Sequence, residues 1–301
     1  MIQSVKITNP LSESIIFELK NPAPSGFFIR GIDGLGPAKA TINTTDSLSL
    51  DGSVFNSSRL QSRNIVFKLG FLENPSIEHT RRESYRFFPI KKSINIEIET
   101  DIRTYKTSGY IESNEPDIFS NDEGSVISVI CPNPYFYDPS TTIIFFSHVE
   151  GGFKFPFSNE SLTQKLLIFS NIISDLETVV TYPGDSDIGI VLNIHASGPV
   201  VNFEIFNLTT GQNMRIDHDI LVSLTGFGII TGDDIRITTI RGQKSIILIR
   251  DGNEINILNA LSSDSEWFTV QKGDNTFFYQ ADSGANNVDI TLEYQVVYEG
   301  I

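Results

Sequence analysis

Polar and apolar residues alternate one for one in segment after segment of this chain, and a chain so patterned is not built mainly from helices. Ser93 to Glu99 sets Ile94, Ile96 and Ile98 against Ser93, Asn95, Glu97 and Glu99. Successive side chains of a strand point to opposite faces, so this segment predicts a strand with one wet face. Asp234 to Thr238, Glu254 to Ile257 and Val288 to Val296 repeat the pattern. Asn64 to Leu72, Ile188 to Ile194 and Val200 to Phe206 add further strands. Turn signals separate them: Asp33-Gly34, Asp51-Gly52, Asp251-Gly252 and Gly273-Asp274. Asp-Gly is a strong hairpin cue because both central residues of a type I′ turn need positive φ. Helical periodicity is scarce. His79 to Ile90 predicts a short helix that ends at or before Pro89, and Leu162 to Leu176 is ambiguous. No fixed-period repeat and no low-complexity tract occurs. The expected class is all-β, as sandwich or barrel domains.

Charge divides the 301 residues unevenly. Residues 1–137 hold 14 basic and 16 acidic side chains, a net of -2, whereas residues 138–301 hold 8 and 21, a net of -13. The asymmetry points to two domains in different surroundings; an acidic surface that keeps a protein soluble reads the same way. A seam lies at Cys131 to Pro139, where Pro132, Pro134 and Pro139 oppose a central strand or a helix. The expected domains are therefore 1–137 and 138–301. A pI of about 4.6 argues against a nucleic-acid binder held by phosphate contacts. The single cysteine, Cys131, excludes an internal disulfide framework and a Cys-rich zinc site. The first residues lack the apolar core of a signal peptide. No apolar run exceeds four residues, where a bilayer span needs about 20. The expectation is a soluble protein made in a reducing compartment, without membrane insertion.

Catalytic chemistry is thinly represented. His79, His148, His195 and His218 show no metal-ligand spacing. Asp217-His218-Asp219 has the composition of a base with carboxylate neighbours, and reads as a turn between strands. Asp185 with Asp187, and Asp233 with Asp234, offer paired carboxylates for glycoside hydrolysis; each pair follows a glycine, as turn residues do. Cys131, between Ile130 and Pro132, reads as a small buried residue. Gly226 to Gly232 departs from the dinucleotide fingerprint by one residue and lacks its strand–helix context. Trp267 is a sugar-stacking platform if exposed and core if buried.

A wider set of motifs carries a resemblance. Phe28-Ile29-Arg30-Gly31-Ile32-Asp33-Gly34-Leu35-Gly36-Pro37 is followed by Asp51 to Phe55, Arg63 to Phe67 and Phe87 to Lys92. Gly109-Tyr110-Ile111-Glu112 and Cys131-Pro132-Asn133-Pro134-Tyr135 close the first half. Tyr182 to Asp185, Gly189 to Ile194, Asn207 to Gly211, Leu261, Lys272 to Asn275 and Tyr298-Glu299-Gly300 continue through the second. In order and spacing the chain resembles the distal tail protein family of siphophages that infect Gram-positive bacteria.

The resemblance implies an N-terminal RIFT-related, β-barrel-like domain that forms a hexameric ring, and a C-terminal galectin-like β-sandwich. It implies a structural baseplate hub that joins the tail tube protein to the tail-tip protein, with receptor-binding or side-fibre proteins at its periphery. No catalytic residue, metal or cofactor comes with it. The expected place is the distal end of the virion's tail, after synthesis in the bacterial host cytoplasm. Ring contacts are expected at Arg59, Arg63, Arg81, Arg82, Arg86, Lys91 and Lys92. The alternative is a carbohydrate-binding module for host cell-wall adhesion, with Trp267 as its stacking residue. A glycosidase is the third class.

Overall fold

A computed structural model describes residues 1–46, 51–120, 122–151, 170–174 and 176–301. Of the ambiguous segment 162–176, residues 162–169 and 175 lie outside them, and Ser170–Ser174 form a strand. The chain divides into two compact units, Met1–Ser140 with Val297–Ile301, and Thr141–Val296. The proline-rich seam does not stop the backbone: a strand runs from Phe136 to Phe145, through Pro139. The chain passes between the units within that strand and again within Val288–Tyr298.

The first unit contains β1 (Ile2–Thr8), β2 (Ser14–Glu18), β3 (Phe27–Asp33), β4 (Ala40–Asp46), β5 (Ser53–Leu60) and β6 (Arg63–Phe71). Helix α1 (Ile77–Phe87) follows, then β7 (Ser93–Thr100), β8 (Thr104–Asp117), β9 (Gly124–Cys131) and the start of β10 (Phe136–Phe145). Seven strands pair antiparallel in the order β3-β6-β9-β8-β7-β1-β2. Strand β8, 14 residues long, pairs β7 in its first half and β9 in its second. The alternation in Ser93 to Glu99 becomes a buried row, with Ile94, Ile96 and Ile98 almost fully covered. Each such side chain contributes roughly 1.5–3 kcal/mol on burial. Phe17 of β2 and Phe27 of β3 meet edge to face at 5.6 Å. The two end strands thus approach, but no ladder joins them among the described residues. The expected barrel-like domain is an open, curled sheet.

Helix α1 occupies the expected place two residues early. Ser76 caps it, its hydroxyl accepting from the His79 N–H at 3.3 Å. Thr80, Ser84 and Phe87 form its buried side.

The second unit contains β11 (Ser147–Gly151), β12 (Ser170–Ser174), β13 (Glu177–Tyr182), β14 (Val191–Ala196), β15 (Glu204–Asn207) and β16 (Gln212–Arg215). Helix α2 (His218–Thr225) precedes β17 (Asp234–Thr238), β18 (Ser245–Arg250), β19 (Asn253–Asn256), β20 (Gly273–Gln280) and β21 (Val288–Tyr298). Strands β11 and β12 pair with each other. One sheet runs β19-β18-β17-β14-β21 and the other β13-β20-β15-β16. They make a β-sandwich, with aromatic rings between the layers. Phe146 lies 6.3 Å from both Phe277 and Tyr279, and Tyr182 of β13 meets Tyr294 of β21 edge to face at 5.6 Å.

Candidate assembly surface

Strands β4 and β5 stand apart from the seven-stranded sheet of the first unit. They pair antiparallel from Ala40↔Leu60 to Asp46↔Ser53, and no other strand among the described residues pairs with either. Both faces are wet: Ile42, Val54 and Phe55 are 63%, 53% and 60% exposed. A lone two-stranded hairpin is marginal in water. Two open edges and three exposed apolar side chains make it a template for another chain. The Asp51-Gly52 turn was legible in the sequence, and Gly52 does take a positive φ of 88°. The strands were not, because Thr-, Asn- and Ser-rich segments with no buried face show no alternation.

The hairpin's root is fixed by Arg63, the first residue of β6. Its side chain is buried, at 3% exposure for the residue. Nε donates to the Pro134 carbonyl at 2.8 Å, and one terminal nitrogen donates to the Gly34 and Gly36 carbonyls at 2.6 and 2.5 Å. The other donates to the Glu299 carbonyl at 2.5 Å. The Phe136 ring lies 4.3 Å away, at cation–π distance. Gly34 permits this fit: its φ is 86°, and a Cβ there would lie 2.0 Å from the Asn64 carbonyl oxygen. Residues 297–301, which the sequence placed with the C-terminal domain, close on the same point, where the Ile301 N–H donates to the Leu35 carbonyl at 3.0 Å. Burial lowers the basicity of Arg63, while neighbouring Cys131 acts the other way. Sequence reasoning put Arg63 at a subunit contact; its inward guanidinium takes it out of that set.

The other basic residues are nearer the surface. Arg59 on β5, Lys91 and Lys92 are exposed. Arg81 pairs with Glu123 at 3.1 Å, both about three-quarters covered. Arg82 pairs with Glu78 at 2.9 Å along α1. Arg86 bonds Glu13 and Glu83, and the Arg86 guanidinium holds the Glu13 carboxyl below its usual range. Three of the six remaining candidates are therefore engaged within their own unit.

The candidate catalytic groups do not assemble. Asp233 is buried and takes both forks of Arg250, at 2.7 and 2.6 Å. Asp234 pairs instead with His195 at 2.7 Å. Asp185 bonds Lys272 at 3.1 Å. Asp217 lies not in a turn between strands but at the N-cap of α2, accepting from the Ile220 N–H at 2.9 Å; Gly226 ends the helix at φ 81°. Burial pushes the Cys131 thiol up to about 11, which disables it as a nucleophile at neutral pH. Among the described residues no three His, Cys, Asp or Glu side chains converge as metal ligands. Nothing is described of the His148 side chain. Trp267 is half-buried, with the Lys244 ammonium 5.2 Å from its ring centroid. A cation over the face competes with a sugar for it.

Residues 183–298 match the family described as Siphovirus-type tail component, C-terminal domain. The second unit resembles that family from Pro183 to its last strand. No curated protein sequence matches the chain. Among solved structures, the crystal structure of the Dit protein of phage SPP1 aligns over 97% of this chain and 98% of its own, at 11% identity and a TM-score of 0.61. It is described as a paradigm of the hub adsorption apparatus in phages that infect Gram-positive bacteria. A chain of the phage P2 baseplate in its activated conformation with calcium covers 97% and 98% at 11% identity, with a TM-score of 0.44. Over residues 183–298 the resemblance carried by the motifs meets the family match, and the all-β fold agrees with that of the SPP1 protein.

Proposed function

We propose that this chain is a structural distal tail protein of a siphophage, a baseplate hub whose first unit forms a hexameric ring and continues the tail tube. The carrying observation is the β4–β5 hairpin: a two-stranded arm with open edges and exposed Ile42, Val54 and Phe55. It needs a second surface to be stable. Closed rings are built by such heterologous contacts, one subunit's arm on the next subunit's body. The first unit, with 14 basic residues against 18 acidic, packs copies together with less self-repulsion than the second, with 8 against 19. The family match to a tail component supports the same reading. In this role the tail tube protein binds one side of the ring and the tail-tip protein the other, and receptor-binding or side-fibre proteins dock outside. The protein lies at the distal end of the virion's tail and catalyses nothing.

Light scattering across a range of concentrations, with negative-stain imaging, tests this directly. The expected result is a mass near six or twelve chains and visible rings. Replacing residues 40–60 by a short turn should leave a folded monomer. A strict monomer that also fails to assemble on tail tube protein would overturn the proposal, as would rings that persist without the hairpin.

A further inference from the structure

Helix α2 exposes what a surface helix ordinarily buries. Half of its residues are aliphatic, Ile220, Leu221, Val222 and Leu224, and only Leu221 is buried. Ile220 and Leu224 stand one turn apart on one face, 40% and 46% exposed. Gly226 ends the helix, and Phe227, 63% exposed, follows directly. The Thr225 hydroxyl donates to the Phe227 carbonyl at 2.6 Å and holds that turn. The Arg250 guanidinium lies 6.0 Å from the Phe227 ring, but its charge is met by Asp233. The 3-10 turn Leu258–Ala260 packs beside the helix, where the Asp217 N–H donates to the Ala260 carbonyl at 2.8 Å. Leu258 adds one more exposed aliphatic side chain.

We propose that this face docks a basic amphipathic helix of a partner protein. Exposed apolar side chains grouped inside a polar rim mark a contact with another molecule. Here the rim is acidic. Asp219 and Ser223 form the exposed row beside Ile220 and Leu224, and exposed Asp251 follows Arg250. Residues 216–235 contain no lysine or arginine. The occupant must therefore carry positive charge beside its apolar stripe. A helix fits the spacing. Ile220 and Leu224 stand about 6 Å apart, close to one turn of a partner helix whose apolar residues recur at i, i+4 and i+7. A second copy of this chain does not fit, because its own face would set Asp219 against like charge. An anionic bilayer is opposed for the same reason. The face lies in the second unit and the argument does not rest on ring formation, so this contact and the ring can each fail alone.

The full chain with labelled isoleucine and leucine methyl groups tests this by NMR titration. The probe is a synthetic peptide of about 18 residues, long enough to hold a helix, with leucine at i, i+4 and i+7 and lysine elsewhere. One control has the same composition in scrambled order, and another has glutamate in place of lysine. The expected result is saturable shifts at Ile220 and Leu224 with the lysine peptide, about tenfold weaker binding of the scrambled peptide, and none of the glutamate peptide. Leu224→Ser should weaken the titration about tenfold or more, and Asp219→Lys several-fold. Both side chains are exposed, and unchanged shifts at buried Ile205 and Leu292 confirm the fold. Silence of Ile220 and Leu224 towards the lysine peptide would overturn the proposal. So would equal binding of either control, or a Leu224→Ser titration equal to the parent's. Shifts at these methyls on concentrating the chain alone would assign the face to a second copy, and shifts with phosphatidylcholine vesicles would assign it to lipid; either overturns the proposal.

Discussion

Among the described residues each unit has an inward-turned arginine, Arg63 in the first and Arg250 in the second, and the two are neutralised differently. In the second unit Arg250 meets a carboxylate: both forks reach Asp233, which is 1% exposed, and a further donor reaches the Gly228 carbonyl at 2.7 Å. In the first unit Arg63 meets four backbone carbonyls and the Phe136 ring, and no carboxylate among the described contacts. Arg250 fixes one loop, 228–233, lying near in sequence. Arg63 gathers three distant segments at the root of the hairpin. A charge pair suffices to lock a local turn; tying separate segments takes a donor with a fork wide enough to reach several dipoles at once.

Removing the cation separates the two cases. Arg250→Met leaves the Asp233 carboxylate buried without its partner and should cost about 3–5 kcal/mol. Urea denaturation at pH 7 reads that loss. Pairing Arg250→Met with Asp233→Leu should recover part of the loss, since the orphaned charge is gone. Arg63→Met leaves neutral carbonyls. We expect a loss of about 2–4 kcal/mol and accelerated amide exchange at Ile301, whose N–H bonds the Leu35 carbonyl beside the clamp. A loss for Arg63→Met as large as that for Arg250→Met would erase the contrast.

Cys131 gives the first unit a response to alkali. The thiol is buried and held at about 11 from an ordinary 9.0. Its unfolded form ionises first, so stability is intact below pH 9 and falls as pH rises towards 11, by at most roughly 2–3 kcal/mol. Cys131→Ala should flatten that alkaline slope. An unchanged slope would mean that another group carries it.

What could be read in advance follows from what leaves a periodic trace. Ile94, Ile96 and Ile98 announced β7 because one face of it is buried. The Tyr182 and Tyr294 rings, which meet between the sandwich layers, left no such trace, since their meeting depends on long-range folding. Helix α2 was missed although its cap, Asp217, and its stop, Gly226, are both in the sequence; eight residues give too few turns for a period to show. Strands β4 and β5 were missed for want of any buried face. Arg63 was misplaced for a related reason. An arginine beside a strand reads as surface, and nothing local reveals that carbonyls from residues 34, 36, 134 and 299 converge on it.

The smallest expected effect on the isolated chain bears most on assembly. Arg59 lies on the exposed hairpin, four residues from Arg63, with no buried contact. Arg59→Glu should change unfolding free energy by less than about 0.5 kcal/mol, as surface substitutions do. If the hairpin lies against a neighbouring copy, reversing that charge still alters a contact repeated at every interface of a closed ring. The concentration at which rings form should then shift several-fold, and the shift should shrink as salt is added. The two arginines thus split cleanly. Arg63 governs whether the arm is held, which denaturation reads. Arg59 governs what the arm meets, which only assembly reads, and an unmoved assembly curve for Arg59→Glu would exclude that residue from the contact.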